Sequence, residues 1–298
     1  MSAINKESKE TATTPESQGV PSVTAARRRR RIVVNILRVL VLVVFFGGWE
    51  LGARWTLPGA SAPVIDPFFW GQPSGIWQQL VTWVTQGTAQ GPLWEQIVVT
   101  LEEAVLGFLI GVVFGVVFGV VLGRNRFLAD VLGPYIKAAN SIPRVVLGPI
   151  FAIALGILGI QSKVALAAVM VFFIVFFNAF QGVREVDRNL LANARILGAS
   201  QRQLSTAVII PSALTWIIAS LHTSFSFALV GAIVGEFIGA TEGIGLLIQT
   251  ARGNFNTNGV FAAMAILVVV SLLADALVTA LENRLIRWRP NTVSDVTI

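Results

Sequence analysis

Few residues in this chain are suited to covalent chemistry. It has no cysteine, so a thiolate nucleophile, a disulfide framework and Cys-based metal or cluster sites are excluded. A single histidine, His222, argues against a zinc site built on imidazoles. His222 is also the one imidazole base open to an intramembrane hydrolase, and the Asp275 that would orient it falls on another apolar segment. All four lysines, Lys6, Lys9, Lys137 and Lys163, lack the preceding glycine of a GxxxxGK[ST] phosphate loop, so the chain has no such loop for ATP. What remains is polar rather than reactive. Ser220, His222, Thr223, Ser224 and Ser226 crowd one apolar segment that ends near Glu236, and Asn178 lies in the segment before it. Polar residues at i, i+3 and i+4 spacing inside an apolar helix face either a neighbouring helix or a water path. Between these segments stands DRNLLANARILGASQRQLSTAVIIP, Asp187 to Pro211, a polar stretch bearing several arginines.

The elements that must position these residues are membrane spans. Hydrophobic residues make up 54 % of the 298 and charged residues 13 %, against roughly 25 % charged in a soluble domain. Mean hydropathy is +0.73. Apolar windows about 20 residues long predict six spans, near 32–55, 97–123, 129–155, 161–181, 213–238 and 259–282. The expected fold is therefore all-α, a polytopic membrane protein of about six transmembrane helices. Pro134, Pro143 and Pro149 leave 129–155 as either one broken span or two shorter pieces. Met1 to Ala26 is poor in aromatic and branched apolar residues and reads, with the arginines that follow, as a disordered basic tail over 1–31. Arg27–Arg31 before an apolar run fits a signal peptide or an uncleaved first span; Trp49 and Trp55 as interface anchors favour the span. A second tail covers 290–298, leaving 32–289 as the membrane domain.

Arginine placement predicts the orientation. The net charge of +6 collects in Arg27–Arg31, Arg124 and Arg126, Arg184 to Arg202, and Arg284 to Arg289, which fall on the same side of six spans counted in order. That side is the cytosol, so these arginines are topology signals and no nucleic-acid site is implied. Both termini and the 182–212 loop are then cytosolic. Opposite loops carry little positive charge, with Lys163 and Arg252 the exceptions, and 56–96 reads as an external loop with interfacial helices bearing Trp70, Trp77, Trp83 and Trp94. In the second span Gly107, Gly111, Gly115, Gly119 and Gly123 recur every four residues, a close-packing face turned inward or toward a second copy.

The 182–212 loop predicts a helical hairpin. Asn189 caps a helix over Leu190–Leu197, Gly198 permits a sharp turn, and Ser200 caps a second helix running through Ile210 before Pro211 and the next span. Leu191, Leu197, Leu204, Val208 and Ile209 are available to anchor it. Arg195, Gln201, Arg202 and Gln203 are left for a soluble partner. An amphipathic loop resting on lipid headgroups is the alternative.

This segment resembles the signature loop of ABC-importer permeases: Glu-Ala-Ala, three residues, Gly, nine residues, an aliphatic, one residue, an aliphatic, then Pro. Here Ala192, Asn193 and Ala194, then Gly198, then Val208, Ile210 and Pro211 fall at those intervals. Ala192 stands where the family has its acidic residue and Asn193 where it has its first alanine. The similarity covers about residues 95–289, through GFLIGVVFGVVFGVVLGRNR, SIPRVVLGPI, FNAFQGVREVDRNLL, GEFIGATEGIGLLIQTARGNF and LADALVTALENRLIRW, and is nearest to the nitrate, sulfonate and taurine type. The resemblance implies the type I importer permease architecture, in the inner (plasma) membrane, working beside a second permease copy. It also implies two ATPase subunits that carry the ATP and magnesium, no cofactor in this chain, and an extracytoplasmic binding protein that delivers a small solute. Coupling to the ATPase would fall to Ala194, Arg195, Leu197, Gly198, Ala199, Ser200, Gln201 and Pro211. Asn178, Ser224, Ser226 and Glu236 are the candidates for the translocation path. An ATP-independent secondary transporter or channel would use the same apolar spans and remains the alternative.

Overall fold

A computed structural model describes residues 23–59, 62–186 and 188–285. The tail positions 1–22 and 286–298 lie outside the described residues. Twelve α-helices follow in order: α1 (Val23–Arg54), α2 (Pro67–Trp70), α3 (Pro73–Gln86), α4 (Leu93–Arg124), α5 (Arg126–Ser141), α6 (Leu147–Leu155), α7 (Ile160–Arg184), α8 (Arg188–Ile196), α9 (Gln201–Leu204), α10 (Ile210–Ile238), α11 (Ile244–Gly253) and α12 (Thr257–Leu285). The first helix begins at Val23, so the run Arg27–Arg31, expected within the disordered tail, is helical; arginine favours helix and simply extends the span. Among the described residues, five helices are long and apolar enough to cross a membrane, and α5 with α6 makes a sixth candidate bent by 78°.

The trunk is α4, α7 and α10. Gly107 of α4 packs on Ala167 of α7, and Gly123, four turns on, packs on Val183. A methyl added at Gly115 would stand 2.8 Å from Val175 Cβ, 3.0 Å from the Phe172 carbonyl oxygen and 3.1 Å from the Phe176 nitrogen. With no driving force for burial inside lipid, close van der Waals approach of two backbones is what holds such a pair. The glycine face is thus an internal seam of one protomer.

Residue numbers rise together along this seam, so α4 and α7 run parallel. Chain direction then decides what the bent pair does. Having left the far end of α4, the chain must return to the starting end before α7 begins, and only α5 and α6 lie between them. They form one broken crossing, not a re-entrant loop. The break sits at Ile142, which is extended ahead of Pro143. Pro134 stays inside α5 and Pro149 enters the first turn of α6. Returning antiparallel, α10 brings Gly231 onto Ala167 and Gly235 onto Lys163.

A second layer packs α3, α11 and α12 together through Trp83, Ile244, Leu247, Ala262, Ala263 and Val270, with Leu93 of α4. Trp83, expected at an interface, is therefore a core residue; Trp70, Trp77 and Trp94 are exposed. Little of α1 touches the rest. It meets α12 through a Trp49–Phe261 edge contact at 5.4 Å and α3 through Glu50, which accepts from the Ser74 backbone and hydroxyl at 2.9 Å each.

The second hairpin helix and the next span are continuous at Pro211: α9 passes through a π turn, Ser205–Ile209, straight into α10. Together they make one apolar span over Arg202–Ile238. Proline offers no N–H and its ring crowds the carbonyl four residues back, Ala207 here; widening that turn to π spacing relieves the crowding without breaking the helix.

Candidate functional site

The hairpin between α7 and α10 is built by two local motifs. At the end of α8 the Ala199 N–H donates to the Ala194 carbonyl and the Gly198 N–H to the Arg195 carbonyl, both at 3.0 Å. That paired pattern is the Schellman stop, which places its glycine in the left-handed region; Gly198 has φ +81°. Two residues later a capping box opens α9. The Gln203 N–H donates to Ser200 Oγ at 3.3 Å, and the Ser200 N–H donates to Gln203 Oε1 at 2.8 Å. Ser200 is thus the cap expected of it, while Gln203, expected to face a partner, is spent locally.

Within the Schellman stop the tip presents Ile196 at 82 % exposure and Leu197 at 86 %. Leu204, at 2 %, anchors the hairpin to the bundle, and Ile209 packs against Ala179, Val183, Ala213 and Ile217. Leu197 belongs to the tip and not to the anchor. Arg195 is exposed, Ala194 and Ala199 are half-buried, and Pro211 is half-buried in the first turn of α10. The side chains of Gln201, Asn189 and Leu191 lie outside the described residues.

The four path candidates do not converge. Asn178 donates to the Ile174 carbonyl of its own helix at 2.8 Å. Ser224 is fully buried in the trunk and donates to the Ser220 carbonyl at 2.7 Å, whereas Ser226 faces outward on the other side of α10. Glu236 lies ten residues beyond Ser226, about 15 Å along the helix, and is 1 % exposed.

Around Glu236 the structure assembles a group that hydropathy alone does not suggest. Three backbone N–H groups at the start of α11 are each met by a side chain from the trunk. Gly243 donates to Gln96 Oε1 at 2.8 Å, Ile244 to Thr100 Oγ1 at 2.8 Å, and Gly245 to Glu236 Oε2. Thr100 in turn donates to Glu236 Oε1 at 2.6 Å. A carboxylate at a helix N-terminus complements both the free N–H groups and the helix dipole. Beside it, Lys163 Nζ lies 4.0 Å from Glu103 Oε1 and donates to the Leu158 and Gly159 carbonyls at 3.1 and 3.2 Å. Lys163, counted in the sequence as a loop charge, is therefore inside α7 and 2 % exposed, as is Glu103 in α4. Their signal was available: an ionisable residue within an apolar span is costly and calls for a partner.

His222 and Asp275, assigned to different helices, do meet: His222 Nδ1 is 2.8 Å from Asp275 Oδ1, tying α10 to α12. The pair serves as an interhelical tie. Replacing His222 with Ala should lower thermal stability by about 1–2 kcal/mol, the usual worth of one such hydrogen bond, and leave solute uptake intact. Uptake abolished with the fold unchanged would restore a chemical role for the imidazole.

Comparison with known proteins agrees with this architecture. Residues 111–287 match the model of the family described as "Binding-protein-dependent transport system inner membrane component". The riboflavin transport system permease RibX of Chloroflexus aurantiacus is 35 % identical over 276 residues, 93 % of this chain and 98 % of the relative. The putative aliphatic sulfonates permease SsuC of Bacillus subtilis is 34 % identical over 199 residues, 67 % of this chain and 72 % of its own length. Among solved structures, an amino acid ABC transporter shares the fold with a TM-score of 0.54 at 21 % identity, covering 63 % of this chain and 92 % of that one. The parallel glycine seam, the hairpin and this similarity lead to one assignment: the chain belongs to the binding-protein-dependent inner membrane components and is a multi-pass permease subunit of an ABC importer.

Proposed function

We propose that this permease subunit draws its driving force from two ATPase subunits docked at the α8–α9 hairpin and forms the solute path together with a second copy of itself. A binding protein would deliver the solute at the opposite end. The hairpin side is the cytosol, by the arginine distribution, and both termini lie there. ATP and magnesium belong to the partner, the chain itself being non-catalytic. The observation that carries this reading is the exposure of Ile196 and Leu197, 82 % and 86 %, at the tip of an otherwise polar hairpin held rigid by a Schellman stop and a capping box. Two bare aliphatic side chains on a rigid projection suit insertion into an apolar groove on a soluble protein.

A second copy is supported by the outer face of α10 and α12. Thr223, Ser226 and Asp275, the last at 55 % side-chain exposure, lie within apolar spans on that face. A charge turned to lipid costs about 2.5–3.5 kcal/mol, so this face suits a partner protomer or a wet path better than lipid. Among the path candidates Ser226 belongs to this face, Ser224 and Glu236 to the trunk interior, and Asn178 to the hairpin half of α7. The relatives are named for riboflavin, aliphatic sulfonates, taurine and formylaminopyrimidine, which points to a small anionic or heterocyclic solute.

The test is Leu197→Asp in the complex reconstituted with its ATPase. Loss of a central anchor worth about 2 kcal/mol should weaken ATPase association roughly 30-fold and abolish ATP-driven uptake, while the isolated permease elutes and melts as wild type. Normal association and uptake, or uptake by the wild type without any ATPase, would overturn the reading.

A further inference from the structure

We infer that Glu236, with Gln96 and Thr100, is the positioning residue that latches the α11–α12 unit to the α4–α7–α10 trunk, backed from within the trunk by Glu103 and Lys163, holding closed the end of the bundle away from the hairpin. The inference rests on the ATPase-driven reading above and adds to it the element that must yield when that end opens.

The cluster lies on the seam between two apolar bodies. Below it, Ala104, Val171, Val175, Ala228, Leu229 and Ala232 lock the trunk together. Across it, Ile244, Leu247, Ala262 and Ala263 bind α11 to α12 and α3. Each body is held by close apolar packing, which resists gradual deformation. The polar contacts between them differ in kind. Three side chains, Gln96, Thr100 and Glu236, hold the first turn of α11, and behind them, inside the trunk, Lys163 ties α7 to α4 and to the loop between α6 and α7. Toward the hairpin side, an apolar groove of about 600 Å³ opens between trunk and α12, lined by Leu101, Val105 and Phe225 on one wall and Val269, Leu273 and Leu277 on the other. Contact between α12 and the trunk combines apolar packing, Leu93 and Ile97 against the α11–α12 core and Ala274 and Val278 against the trunk core, with two polar ties, this cluster and the His222–Asp275 pair.

The cluster is also incompletely satisfied. Two carboxyl groups, Glu103 and Glu236, and the Lys163 ammonium group are buried with almost no solvent contact, and among the described residues only Glu103 stands at ion-pair distance from the lysine. The Lys163–Glu103 separation is at the long limit for an ion pair, and Glu103 Oε2 has no hydrogen-bond partner among the described residues. A cluster kept only for stability would be replaced with advantage by apolar residues of similar size. One that stays polar in a buried seam is suited to exchange partners between two packings. Gly243 and Gly245 fit this role, since a side chain at either would strike the Glu236 carboxylate and prevent its seating.

The test uses the full complex with ATPase and binding protein in proteoliposomes. Glu236→Gln keeps the shape and removes the charge; ATP hydrolysis without binding protein should rise about tenfold, the population shift that follows loss of a charge-assisted contact favouring the closed state. Stimulation by loaded binding protein should shrink accordingly. Because the chain has no cysteine, spin labels at Val98→Cys on α4 and Arg252→Cys on α11, both exposed, report the seam directly. Their separation should change between nucleotide-free and ATP-trapped complexes, and this measurement does not depend on Glu236→Gln assembling. Unaltered hydrolysis in the variant, or an unchanged label separation, with a wild type that responds normally to binding protein, overturns the latch alone. A wild-type complex indifferent to binding protein overturns the driving-force reading and the latch with it.

Discussion

Placing leucine at Gly115 is expected to destroy the folded bundle. The new Cβ would lie 2.8 Å from Val175 Cβ and 3.0–3.1 Å from two backbone atoms of α7, and the rest of the side chain has nowhere to go. Side chains can rotate away from an intruder, but the Phe172 carbonyl and the Phe176 nitrogen cannot. Overpacking a tight core costs about 1–3 kcal/mol and more where backbone must shift, and the glycine seam is the principal contact between α4 and α7. Size-exclusion profiles of detergent-solubilised protein should show aggregate in place of the wild-type peak. At Gly48 of α1 an added Cβ meets nothing within 4 Å, so the same substitution there should change stability by no more than about 0.5 kcal/mol. Equal tolerance at both positions would mean that the seam does not hold the trunk.

The second large effect is expected at Gly198, where fold and function should separate. Nothing lies within 4 Å of a Cβ added there, so crowding is not the issue; φ +81° is. A β-branched residue in that region costs about 1–3 kcal/mol, which the hairpin can avoid by abandoning the Schellman stop and redirecting its tip. Gly198→Val should therefore reduce ATP-driven uptake roughly 10–100-fold, the same free energy expressed as a population, with little change in the melting temperature of the permease. Gly198→Asn, which tolerates left-handed backbone, should recover most of the activity. Uptake that survives valine unchanged would remove the hairpin from the transmission of force.

Much of this was readable before any coordinates. The i, i+4 glycines could only be a close-packing face, because no other residue lets two helices approach so nearly, and Gly198 followed by Ser200 carries its own stop and start signals. What escaped is informative. Positive residues near a span end are ordinarily solvated, so Lys163 reads as a loop charge; its burial depends on Glu103, sixty positions earlier. A pairing between such distant positions leaves no local periodicity to read. Trp83 was misplaced for a related reason: an indole suits an interface and a core equally, and the choice was made by Leu93 and α12 closing over it. Proline usually breaks a helix interior, and at Pro211 a single widened turn is enough to keep the helix continuous. His222 and Asp275 stand out singly in the sequence, yet their union requires the crossing of α10 and α12.

The parallel run of α4 and α7 also bears on how the protein is made. Two adjacent spans that run antiparallel can pair as soon as the second enters the bilayer, but Gly107 must wait for Ala167. At about 5–20 residues per second of synthesis, the glycine face of α4 lies against lipid for several seconds while α5 and α6 traverse the membrane ahead of its true mate. Biogenesis of this subunit is therefore paced by the insertion of its kinked third span, and any mutation that delays that span prolongs the time during which an unmated glycine stripe can associate with the wrong helix.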